Sequence, residues 1–288
     1  CLTNAPSIQY ANIEDYGTAA VLMINPVTDI GVNPSTPMGG TATIRFTYYE
    51  EDGTVLDFET IRFDDPNDGG FAYANRGYAR NNLVYAGVFP ANLRGWSSKF
   101  YTNIGNIAYY TFVVQSFTIG SALDISQTYT VNINCPTLKG YEPIRLTWLN
   151  QWGAWDYYTF NMKSAKSIST KGSTYQQLKG TWNESAYRID SFKGGKKAFR
   201  VNATEKISMN TDFVSEADSE WFEELINSPE VYILEGFQTD DLNSSLNKYV
   251  TPVRLLTSNY TKKTVANDKL MQYTFEVEKT KTLRTQSI

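Results

Sequence analysis

The chain has 288 residues, 41% hydrophobic and 14% aromatic, with a formal net charge of −4 and no histidine. That content excludes a disordered chain, and the acidic balance without a basic stripe argues against nucleic acid as a partner. No apolar run approaches the roughly 18 residues of a membrane-spanning helix, and without histidine every His-dependent triad and most transition-metal sites are excluded.

The chain opens on Cys1, and three readings of it stay open: the start of a piece of a longer protein, a processed terminus, or a lipidated cysteine. Cys135 is the only other cysteine. A Cys1–Cys135 disulfide would close nearly the whole first domain. Two cysteines in a chain of this length are no disulfide scaffold, however, and two unpaired thiols are the simpler expectation.

In the first half, Thr41 to Tyr49 alternates as a strand, Glu50 to Gly53 turns, and Val55 to Phe63 runs back. Asp52-Gly53 is a hairpin signal. Ala108 to Phe117 and Gln127 to Ile133 read as further strands. Between them, residues 64–105 are rich in Gly, Asn and Tyr with little periodicity, as expected of exposed loops that make contacts. Tyr73, Tyr78 and Trp96 are its candidate contact residues. Asp64, Asp65, Asn67 and Asp68 gather oxygen ligands before Gly69, in the manner of a cation loop. The spacing is not that of an EF-hand, since Arg76 stands where the bidentate Glu would be, and a polar turn is the simpler reading.

Pro136, Gly140 and Pro143 punctuate a short polar stretch that reads as an inter-domain linker. The expected domains are 1–138 and 139–288. The expected fold class is mainly β, with two β-sandwich-like domains, the first immunoglobulin-like or jelly-roll-like and the second carrying one short α-helix at about 216–227.

The second half opens on an aromatic hairpin. Ile144, Leu146 and Trp148 alternate with Arg145, Thr147 and Leu149; Asn150 to Gly153 supplies turn chemistry; Trp155, Tyr157 and Thr159 then alternate with Asp156, Tyr158 and Phe160. Each aromatic can bury roughly 150–250 Å², so the hairpin is expected to pack on a second sheet or on another chain. Lys193 to Lys197 reads as a basic, solvated hairpin turn. Ser215 is a natural N-cap with Asp218 three residues on, an acidic variant of the capping box. Trp221, Phe222, Leu225 and Ile226 form one apolar helical face, and Pro229 marks its end. Val231 to Leu234, Pro252 to Leu256 and Met271 to Val277 read as strands.

Catalytic signatures are scarce. There is no Gly-x-Ser-x-Gly elbow, P-loop or dinucleotide fingerprint. Carboxylate pairs drawn from Asp156, Glu184 and Asp190 are the remaining option, and 30 acidic residues guarantee such spacings by chance. Trp148, Trp152 and Trp155 could form a sugar platform, but alternation points strand neighbours to opposite faces, which favours packing.

Residues 141–288 resemble a domain of virion structural proteins of tailed bacteriophages, especially phages of marine bacteria, cyanobacteria and Bacteroidetes. The resemblance rests on Trp148-Leu-Asn-x-x-Gly-x-Trp-Asp156, a lysine- and serine-bearing continuation at 162–175, a Trp-containing helix at 219–226 and Ser228-Pro-Glu-Val-Tyr232. The closing strands at 252–256 and 269–277 add to it. It implies a tail, neck or baseplate component of the virion, without enzymatic activity or cofactor. Its partners would be other virion proteins and copies of itself in a homo-oligomeric ring. Aromatics enrich interface cores, so Trp148, Trp152, Trp155, Tyr157 and Tyr158 are the expected assembly contacts. The alternative is a host-receptor or glycan-binding adhesin on a phage fibre or a bacterial surface.

Overall fold

The computed structural model describes residues 1–22, 41–62, 83–118, 121–134, 140–177, 194–235, 250–261, 271–280 and 283–284. They are mainly β, with a short helix in the second half, as expected.

The first half holds β1 (Ile8–Asn12), β2 (Thr18–Leu22), β3 (Thr41–Tyr49), β4 (Val55–Arg62), β5 (Leu83–Gly87), α1 (Pro90–Trp96), α2 (Ser98–Asn103), β6 (Tyr109–Thr118), β7 (Ser121–Asp124) and β8 (Tyr129–Asn134). One sheet has the order β1-β8-β6-β3-β4, with β7 also on β6, and β2 pairs with β5 separately. The β3–β4 turn carries Gly53 at φ +86°, the left-handed conformation that Asp-Gly hairpins need. Alternation buries Ile44, Phe46 and Tyr48 of β3 and Tyr110, Phe112 and Val114 of β6.

Helices α1 and α2 correct the expectation of exposed loops over the end of the 64–105 stretch. Phe89, Leu93, Trp96 and Phe100 recur at helical spacing and turn one face to the core. Pro90 opens α1 where its missing N–H costs nothing, and Ser97 caps α2 by accepting from the Phe100 N–H at 2.9 Å.

The second half holds β9 (Ile144–Leu149), β10 (Trp155–Phe160), β11 (Ser164–Gln177), β12 (Gly195–Asn210), α3 (Glu216–Asn227), β13 (Val231–Leu234), β14 (Val250–Leu255), β15 (Thr274–Lys279) and β16 (Leu283–Arg284). They form one antiparallel sheet ordered β10-β9-β13-β14-β15-β12-β11, with β16 on β12. Helix α3 lays Trp221, Phe222 and Leu225 over Trp148, Phe160 and Phe275 on one face. The first half covers the other face at the β9–β10 end, where Tyr157 packs against its core. No described strand pairs across the two halves. The first residues cross over, however: Ala5 belongs to the second core, and the Leu2 carbonyl accepts from Asn150 Nδ2 at 2.9 Å.

Candidate assembly interface

The aromatic hairpin is built as expected. Asn150 Oδ1 accepts from the N–H groups of Trp152 and Ala154, both at 3.0 Å, and Gly153 takes φ +74°. The fates of its aromatics differ. Trp148 is fully buried, its ring 4.8 Å from that of Trp221. The expected assembly contact at Trp148 is therefore corrected: this side chain is core. Tyr158 packs on Phe160 and Phe222, both at 4.9 Å, so its ring is also engaged within the chain. Tyr157 bonds the Thr18 hydroxyl at 2.9 Å and sits 5.7 Å from Phe89, joining the halves. Trp155 is half-buried against Tyr232. Trp152, at the turn, is 55% exposed and open to a partner.

Trp96 is half-buried and packs on Phe46 at 5.8 Å. Tyr73, Tyr78 and the loop of Asp64, Asp65, Asn67 and Asp68 lie outside the described residues, as does Cys135; Cys1 is a free, half-buried thiol. Among the described residues, no group of three His, Cys, Asp or Glu is placed to hold a metal, and no helix is long and apolar enough to cross a membrane.

At the junction, Arg145 of β9 is buried and reaches into the first half. It donates from Nε to the Tyr16 carbonyl at 2.8 Å and from Nη1 to Thr159 at 2.7 Å, and pairs with Asp15 at 3.1 Å. Asp15 also accepts from Thr159 and from the Asn12 N–H. The guanidinium lies over the rings of Phe89 and Tyr157, at 4.6 and 5.3 Å. A cleft of about 510 Å³ opens beside this cluster. Its three cations are already paired, Arg145 with Asp15, Lys166 with Glu142 and Lys279 with Glu235 and Glu205, so the chain itself balances the charge there.

Asp156, the described member of the candidate acids, is a structural tie. It accepts from Trp221 Nε1 and from the Thr3 hydroxyl, both at 2.7 Å. Burial pushes its carboxyl up to about 6, although these hydrogen bonds favour the charged form. Glu184 and Asp190 lie outside the described residues.

A long exposed feature is the pair β11–β12, which periodicity does not reveal. β12 has 16 residues, about 50 Å of strand. Only its inner part is held by the body: residues 206–210 pair with β15, and 202–203 with β16. Beyond Asn202 the described partner is β11 alone, so the two strands project as an arm. Among the described strands, β11 is the last of the sheet, and it is exposed along nearly its whole length. Ile168 is 64% exposed and Phe199 77%. Phe199 is the extra residue of a bulge, since Ser173 faces Arg200 while Thr174 faces Ala198; bulges re-aim side chains in this way. Of the basic turn expected at Lys193 to Lys197, Lys193 lies outside the described residues, Gly194 and Gly195 take positive φ, and Lys196 and Lys197 belong to β12.

No family model, curated protein or solved structure matches this chain.

Proposed function

We propose that this chain is a non-enzymatic structural subunit of a tailed-phage virion, in the tail, neck or baseplate, acting through oligomerisation and protein–protein interfaces. One observation carries the reading: the β11–β12 arm holds large apolar side chains and a long edge strand out in solvent. A lone protein gains nothing from such an edge, which templates pairing with another chain, whereas a subunit that grips its neighbours needs one. The choice of particle rests on the resemblance of residues 141–288 to phage structural domains. Cryo-electron microscopy of particles from the native source tests this. Repeated copies in a ring or collar are the expected result; a monomer on a cell surface would overturn it.

A glycan-binding module is the second reading, favoured by Tyr85 and Tyr101, exposed aromatics on the first half near its helices. Stacking of sugars on them would appear as glycan-array binding by the monomer, lost in Tyr101→Ala.

A further inference from the structure

The arm has a chemical polarity that suggests what it grips. The described residues 169–177 and 195–204 carry Lys171, Lys196, Lys197 and Arg200 and no acid. The rest of the chain is acidic, since the net charge is −4 even with these cations included. Directly opposed residues of an antiparallel pair share a face, as do alternate residues along a strand. Lys171, Arg200 opposite Ser173 and Lys197 opposite Tyr175 therefore line one face of the ribbon. They span about 13 Å, at roughly 3.3 Å per residue. Tyr175 shares that face, and Phe199 stands at its bulge.

Helix α3 is the counterpart. It holds Glu216, Asp218, Glu220, Glu223 and Glu224, with no lysine or arginine. Its inner face is buried on the sheet, and Glu216, Glu220 and Glu223 stand on the exposed side. Their spacing of four and three residues makes one stripe of about 10 Å, at 1.5 Å per residue. Beside its first turn, Phe213 is 55% exposed, an apolar neighbour for Tyr175 and Phe199. Stripe length, charge sign and apolar flank all match.

We propose that the basic face of the β11–β12 arm of one copy docks along the acidic outer stripe of α3 of a second copy. The two surfaces differ, so the contact is heterologous and head-to-tail, and closes a ring when the rotation between copies closes. This rests on the reading of the chain as an oligomerising subunit and names the contact that builds the oligomer.

Sedimentation of the 288-residue chain at low and high salt tests it, with the variants Lys197→Glu/Arg200→Glu and Glu216→Lys/Glu220→Lys, and with both sets combined. All these side chains are exposed, so each variant should stay folded; the α3 reversal should melt slightly below the wild type, because it places cations at the positive N-terminal end of that helix. The wild type is expected to assemble, and to assemble less well as salt screens the charges. Each reversal alone should raise the assembly concentration by about tenfold or more, which is 1.4 kcal/mol or more. The combined variant, with the charges exchanged, should reassemble. An oligomer indifferent to both reversals overturns this contact and leaves the subunit reading in place through another surface. Two damaging reversals without rescue in combination overturn the pairing of arm with helix. A wild type that stays monomeric at every concentration overturns the contact together with the oligomer reading it rests on.

Discussion

At the scale of single residues, the buried carboxylate Asp156 sets a pH dependence. Its folded-state value is about 6 against an ordinary 3.8, so between these values the folded chain binds the proton more tightly than the unfolded one. Stability therefore falls as pH rises from about 4 to about 6, and the cost of the buried charge is fully present above that window. A tenfold change in proton affinity is worth about 1.36 kcal/mol, so the cost is on the order of 3 kcal/mol. Other carboxylates also titrate here, and subtracting Asp156→Asn isolates this one. Asparagine keeps an acceptor for Trp221 and cannot ionise. Urea unfolding from pH 4 to pH 7 should show wild-type stability dropping relative to Asp156→Asn, and parallel curves would refute the assignment.

At the scale of elements, α3 depends on its cap. The Ser215 hydroxyl accepts from the Asp218 N–H at 3.2 Å, and the Asp218 carboxylate accepts from the Ser215 N–H at 2.9 Å. Ser215→Ala removes one arm of this box, and urea denaturation should report a loss of about 1 kcal/mol. That cap was legible in the residues, as were the α3 face and the β3–β4 turn, because each has a short-range signal tied to one buried face. The β11–β12 arm was not. Period-two alternation appears when one face of a strand is buried and the other wet, and the outer part of the arm is exposed on both faces, so Ser, Thr and Lys fill it. The aromatic hairpin failed in the opposite way. Near β9 both faces are covered, by α3 and by the first half, so alternation separates Trp148 from Tyr157 without saying which face meets a partner. Helices α1 and α2 did carry a helical apolar spacing, but it is embedded in a Gly- and Asn-rich segment whose composition reads as loop.

At the scale of the molecule, the question is whether the halves behave as one body. Interfaces between domains of a chain often permit relative motion unless they are large and well tied. Here a buried ion pair, Arg145–Asp15, is hydrogen-bonded through Thr159, Tyr16 and Asn12 and flanked by Phe89 and Tyr157. Residues 2–5 also reach across to the second half. Such a junction couples the unfolding of the two cores, so scanning calorimetry of the wild type should give one transition. Arg145→Met strands a buried carboxylate on the first half, and removing one partner of a buried pair costs about 3–5 kcal/mol. The variant should lower the onset of melting and split the transition, with the first half leaving first. Asp15→Asn added to Arg145→Met removes the stranded charge and should recover much of the loss, because the penalty lies in the unpaired ion more than in the missing contact. A single, unshifted transition in Arg145→Met would mean that the halves are joined elsewhere and that the ion pair is incidental to their coupling.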